Sequence, residues 1–166
     1  MKELLDKLSS YNIFNYLFPG TIFCFLSKEV TGYRMVFDDI ITGVFFYYFI
    51  GLIISRVGSI VIEPIVKKLK IIEFSDYSDY IIAEKNDQKI EVLSENNNMF
   101  RTLISLIFVS IIIKIYFLFE TKYSIVLNCR WIVISLVLLV LFVLSYKKQT
   151  KYITKRINSN IKEKNQ

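Results

Sequence analysis

The chain predicts an all-α membrane protein with four transmembrane helices, a short N-terminal amphipathic helix and a small helical cytoplasmic loop. Three observations carry this. Hydrophobic residues make up 54% of the 166 positions and aromatics 16%, with a mean hydropathy of +0.44, against roughly 45–50% apolar content for ordinary globular chains. The excess is gathered in blocks. Two of these, from about Met99 to Phe119 and from about Ser124 to Tyr146, have the roughly 20 residues that cross a hydrocarbon core about 30 Å thick. Lys and Arg flank the blocks and form no separate basic domain, so the net charge of +6 points to anionic head groups and away from direct nucleic-acid binding.

Residues 1–10 place Leu4, Leu5 and Leu8 among Lys2, Glu3, Asp6 and Lys7, the spacing of a helix lying on a membrane surface. No basic n-region and cleavage site are evident, so a removable signal peptide is not expected. Residues 11–66 hold the first two spans. The first apolar run, Tyr11 to Ser27, is interrupted at Pro19-Gly20. Proline lacks the amide proton an interior helical position needs. The run is therefore a broken first span or, alternatively, an interfacial helix that re-enters at Pro19. The second run, Ile40 to Ser55, is continuous and carries an aromatic block from Phe45 to Phe49. Along it Gly51, Ser55 and Ser59 recur every four residues, with Gly58 seven after Gly51. Such a stripe admits a close neighbour in lipid, where packing replaces water expulsion as the driving force. That neighbour is another span of the same subunit or a second copy.

Residues 67–98 are polar and mixed in charge. Tyr77, Tyr80, Ile81 and Ile82, then Ile90, Val92 and Leu93, predict two short helices broken near Asn86-Asp87. A segment this short cannot fold alone, so it is expected to pack on the membrane, on itself in an oligomer, or on a cytosolic protein partner. Residues 99–146 form the third and fourth spans as a hairpin turned at Glu120 to Tyr123. Residues 147–166 are a basic tail, with Lys147, Lys148, Lys151, Lys155 and Arg156 positioned to bind lipid head groups.

Charge orients this arrangement. With both termini and the central loop on one side, that side collects Lys2, Lys7, Lys67, Lys68, Lys70, Lys85, Lys89, Arg101 and the basic tail; the other keeps Lys28, Arg34 and Lys122. The basic side is the cytoplasmic one, placing both termini in the cytoplasm. Basic residues inside apolar runs need a reason, because a mid-bilayer charge costs at least about 2.5–3.5 kcal/mol. Lys114 and Arg130 both lie near the outer boundary. They either snorkel outward, for instance to Glu120, or line a cationic constriction. Arg56 and Glu63 are two helical turns apart, about 10 Å, so on one face but beyond pairing distance. Each needs a separate partner. Pro64 weakens the helix just beyond, so Arg56, Glu63 and Pro64 act as an interfacial anchor or as a gating or coupling element.

Catalytic machinery is not evident. The chain has no histidine, and Cys24 and Cys129 lack metal-ligand spacing. Acidic residues gather only in the polar loop, as a solvated helix face. No enzyme activity, metal or cofactor is expected.

Tyr11-Asn12-Ile13-Phe14-Asn15-Tyr16-Leu17-Phe18-Pro19-Gly20, followed by Gly51-Leu52-Ile53-Ile54-Ser55-Arg56-Val57-Gly58-Ser59 and Ile62-Glu63-Pro64, resembles small four-span bacterial membrane components of antiphage defence systems. Among these are the Kiwa-type membrane subunit and the four-span effectors of nucleotide-signalling systems. The resemblance implies a homo-oligomer of the inner membrane that senses infection or perturbs the bilayer as a pore or sensor, working with a cytosolic partner. A small anion-selective channel or transporter, or a membrane anchor or assembly factor, are the other readings.

Overall fold

The computed structural model describes residues 12–32 and 35–164, so the expected amphipathic helix at 1–10 lies outside the described residues. Among the described residues five helices follow one another. α1 is a π-helical turn, Ile13–Leu17, running into Phe18–Thr31. α2 is Ile40–Val57, a second π-turn Gly58–Ile62, and Glu63–Lys68. α3 is Tyr77–Asn86, α4 is Lys89–Lys122 and α5 is Ser124–Lys164. Three of them, α2, α4 and α5, are long and apolar enough to cross a membrane.

Both prolines sit inside helices, and the same device accommodates each. Pro19 and Pro64 each stand two residues beyond the end of a five-residue π-turn, closed by Phe18 N–H to Ile13 O and by Glu63 N–H to Gly58 O. A proline ring clashes with the carbonyl four residues back and offers that turn no proton. Widening the preceding turn to i→i+5 bonding relieves the clash. Backbone angles stay helical through Leu17 and Phe18 (φ −63° and −61°). The expected break at Pro19-Gly20 is therefore absent, and so is a re-entrant corner.

Asp39 caps α2 by accepting from both the backbone N–H and the hydroxyl of Thr42. These bonds hold its carboxyl below the ordinary carboxylate value, so the cap stabilises α2 at neutral pH and is lost as pH falls through that lowered value. At the other end Lys70 N–H reaches Lys67 O and Ile71 N–H reaches Val66 O, both at 3.0 Å, the paired bonds of a Schellman termination. It requires a left-handed residue, and Lys70 holds φ 57°. A side chain there costs roughly 1 kcal/mol that glycine does not. Lys70→Gly is expected to stabilise the protein by up to about 1 kcal/mol in equilibrium unfolding.

α1 and α2 run antiparallel in contact along their backbones. A Cβ on Gly20 would stand 1.8 Å from Tyr47 O, and one on Gly51 would stand 1.7 Å from Tyr16 O. Phe23, Cys24, Ile54 and Leu106 form the buried apolar core where α1, α2 and α4 meet. α5 lies at the edge. Trp131, Ile132, Leu136, Val137, Leu139, Val140 and Val143 are all exposed on it, the pattern of a helix surrounded by lipid.

The polar end departs from expectation in two ways. The second short helix foreseen in residues 67–98 is the beginning of α4, and the basic tail is the uninterrupted end of α5. α3 then packs on this same chain, a possibility not among those foreseen for the loop. Tyr77 meets Tyr152 at 5.6 Å between rings, Glu84 receives Arg156 at 3.5 Å, and Ile81 is 1% exposed. The extended helices supply the apolar surface the loop lacked.

Candidate functional site

α2, α4 and α5 converge on one carboxylate. Glu63 is 6% exposed, although it is charged and sits at the end of a span. Arg101 Nη1 donates to its Oε2 at 2.7 Å, Lys148 Nζ to its Oε1 at 3.0 Å, and Lys67 Nζ approaches Oε1 at 3.5 Å. Short range, several donors and restricted water make such bonds stronger than a surface pair.

Lys148 has a second task. Pro64 has no amide proton, so in the register of the π-turn the carbonyl left without a donor is that of Ser59. Lys148 Nζ donates to Ser59 O at 2.6 Å. The ammonium of α5 thus replaces the hydrogen that the proline of α2 removes.

Above Glu63 lies a seam of buried polar side chains. Thr102 Oγ1 is 2.8 Å from Asn98 O, 3.1 Å from Asn15 Oδ1 and 3.4 Å from Ser55 Oγ, and Ser105 donates to Ile54 O at 2.7 Å. Asn15, Ser55, Thr102 and Ser105 are each no more than 3% exposed. Small hydroxylated residues let the helices approach and then tie them together. Thr102→Val removes the shared hydroxyl from this seam, and about 1 kcal/mol of stability is expected to go with it in thermal melts of the detergent-solubilised protein.

The opposite ends of α4 and α5 carry a second ionic pair, Arg130 Nη1 to Glu120 Oε1 at 3.0 Å, with Glu120 itself 6% exposed. At roughly 1.5 Å per residue, α4 rises about 28 Å from Arg101 to Glu120 and α5 about 27 Å from Arg130 to Lys148. Two ionic tiers thus frame an apolar slab close to the roughly 30 Å of a hydrocarbon core. Lys114, about 9 Å inside the Glu120 tier, donates to Val30 O at 2.7 Å and so closes the carboxyl-terminal end of α1.

The sequence-selected residues therefore divide. Gly51 packs on Tyr16 of α1, Gly58 lies within 3.3 Å of Arg101 O for an added Cβ, Ser55 joins the Thr102 seam and Ser59 supplies the carbonyl to Lys148. That whole stripe is in use within one chain. Arg56 approaches Tyr16 Oη at 3.4 Å, while Glu63 takes its partners elsewhere. The π-turn between them replaces the α-helical spacing that put them on one face. Lys114 and Arg130 have separate partners, and Glu120 belongs to Arg130. In the tail, Lys148 joins Glu63 and Arg156 joins Glu84, while Lys147, Lys151 and Lys155 are exposed. Sequence reasoning overlooked Arg101, Asn15, Thr102, Ser105 and the depth of Glu120. Thr102 and Ser105, one turn apart beside a cation at the foot of an apolar run, were the available signal. Among the described residues no group of acidic, cysteine or histidine side chains is arranged to hold a metal ion. No family model, curated protein or solved structure matches the chain.

Proposed function

We propose that this chain is a four-span, homo-oligomeric sensor or effector of the bacterial inner membrane that couples the bilayer to a cytosolic partner, with both termini cytoplasmic. One observation carries the coupling: Glu63 ties α2, α4 and α5 together at the level where α4 and α5 leave the apolar slab, and both helices continue unbroken beyond it. A tilt or rotation of these helices in the bilayer is transmitted as a rigid movement of the α3–α5 face, because no loop intervenes to absorb it. The fourth crossing is α1. Its antiparallel backbone contact with α2, and the bonds that Thr102 donates to Asn15 Oδ1 at one end and Lys114 to Val30 O at the other, support it.

A role in antiphage defence, as pore or sensor, rests on the resemblance of the Pro19-Gly20 and Gly51–Ser59 segments. The anion-channel alternative is less well supported, since Lys114 and Arg130 each have a protein partner. Cells carrying the chain with its native gene neighbours are expected to plate phage poorly. Deleting residues 150–166 is expected to restore plating while the protein still fractionates with the membrane. Full protection by the deletion variant, or a wild-type chain that is monomeric and gives no protection, contradicts the proposal.

A further inference from the structure

On the face of α5 just beyond Glu63, the side chains of Lys148, Lys151, Tyr152 and Lys155 line a cavity of about 210 Å³. We infer that this cavity binds the phosphate head group of an anionic phospholipid as a defined site. The inference rests on the reading that the Glu63 tier marks the cytoplasmic edge of the bilayer.

Charge is the first argument. Among the described residues one carboxylate, Glu63, is shared by three cations, Lys67, Arg101 and Lys148. Lys151 and Lys155 add two more cations and have no carboxylate partner among the described residues. Glu84, on the neighbouring helix α3, is engaged by Arg156. The cluster is therefore short of negative charge by several units, and a phosphate supplies it.

Donor geometry is the second argument. An ammonium has three protons. Lys148 gives one to Ser59 O and one to Glu63 Oε1, at 2.6 and 3.0 Å. Its position is fixed by those two bonds, and its third proton remains for a ligand. Lys155 stands over the Tyr77 ring at 5.9 Å and Lys148 over the Tyr152 ring at 5.7 Å, so two of the three ammonium groups are held against aromatic faces. The Tyr152 hydroxyl offers a further donor on the same side.

Depth selects the lipid over a soluble phosphate. Lys151 lies about 4.5 Å beyond Lys148 along the helix, within the head-group layer, and Lys155, about 10 Å beyond, lies just outside that layer and reaches it only by its side chain. The head-group layer occupies the roughly 5–8 Å between the hydrocarbon core and water on each side of a bilayer. A lipid anchored by its acyl chains along the exposed apolar surface of α5, at Leu139, Val140 and Val143, presents its phosphate at this height without leaving the membrane.

The test uses the full-length chain in phosphatidylcholine nanodiscs with increasing phosphatidylglycerol, reading retained anionic lipid per chain by native mass spectrometry. Wild type is expected to retain a fixed small number of phosphatidylglycerol molecules. Lys151→Gln/Lys155→Gln is expected to weaken retention about 30-fold, with its melting temperature in phosphatidylcholine alone unchanged. Lys68→Gln/Lys89→Gln, which removes equal charge at two exposed positions outside the cavity, is expected to leave retention as in wild type. Equal losses in both variants overturn the defined site in favour of diffuse attraction. Displacement of the bound lipid by millimolar inorganic phosphate overturns the lipid assignment. This readout needs no partner and no phage, so its failure and a failure of the coupling proposal are separate results.

Discussion

Gly51→Ala is expected to separate α1 from α2. The added methyl would stand 1.7 Å from Tyr16 O, 2.5 Å from Tyr16 C and 2.9 Å from its Cα, all atoms of a helical backbone that cannot rotate out of the way. Ordinary contact begins near 3.4 Å, so the two axes must part by well over 1 Å. The buried residues Ile54, Cys24 and Phe23 lose contacts with them. Overpacking of this kind costs typically 1–3 kcal/mol, and a backbone obstacle places this case at about 3 kcal/mol. Gly20→Ala meets Tyr47 O at 1.8 Å and forces the same separation. The double variant is therefore expected to cost clearly less than the two single variants added together. Gly43 provides the contrast. Its nearest neighbours to an added Cβ are the Tyr47 ring at 3.4 Å and Phe37 Cβ at 3.7 Å, so Gly43→Ala is expected to be neutral or to gain up to about 1 kcal/mol from helix propensity. Reversible unfolding in mixed micelles measures all four, and a Gly51→Ala variant as stable as Gly43→Ala refutes the close crossing.

Glu63→Gln is expected to lose about 3 kcal/mol. Removing one partner of a buried ionic cluster leaves the others desolvated without compensation, at about 3–5 kcal/mol. Partial exposure of Arg101, Lys148 and Lys67, at 23%, 27% and 43% of their side chains, puts this site at the lower end. Glutamine keeps the shape and one carbonyl acceptor, so the loss reports charge. Adding Arg101→Met is expected to recover part of it, because Arg101 answers only to Glu63 among the ion pairs of the described residues and its Nε is buried without an acceptor. A double variant no more stable than Glu63→Gln contradicts this account. The same unfolding assay decides.

The three helices long and apolar enough to cross a membrane are legible in the sequence because a run of about twenty apolar residues is too long for an ordinary buried strand or core helix and matches the thickness of a bilayer. Glu63 is recognisable as needing a partner, since a carboxylate at the end of a span does. Its partners are not recognisable. Arg101 and Lys148 lie on other helices, and periodicity along α2 carries no information about which side chains of α4 and α5 arrive at the same height. Pro19 misleads for a related reason. The rule that proline ends a helix assumes α-helical bonding, and the π-turn at Ile13–Leu17 evades it. Gly20, which reads as part of a break, is instead one of the two points where α1 and α2 meet backbone to backbone. The polar segment 67–98 is illegible when weighed alone, because α3 is stabilised by the tail of α5, whose Tyr152 reaches Tyr77.

The bond from Lys148 to Ser59 O makes two distant positions answerable to each other. A chain with proline at 64 depends on a donor from α5; a chain with an amide there supplies its own. Lys148→Met is expected to be costly beside Pro64 and markedly cheaper in a Pro64→Ala background, once the part due to Glu63 is subtracted with Glu63→Gln variants of both. Drift at either site is thus constrained by the residue at the other, so the order in which the two substitutions are acquired decides whether the intermediate folds.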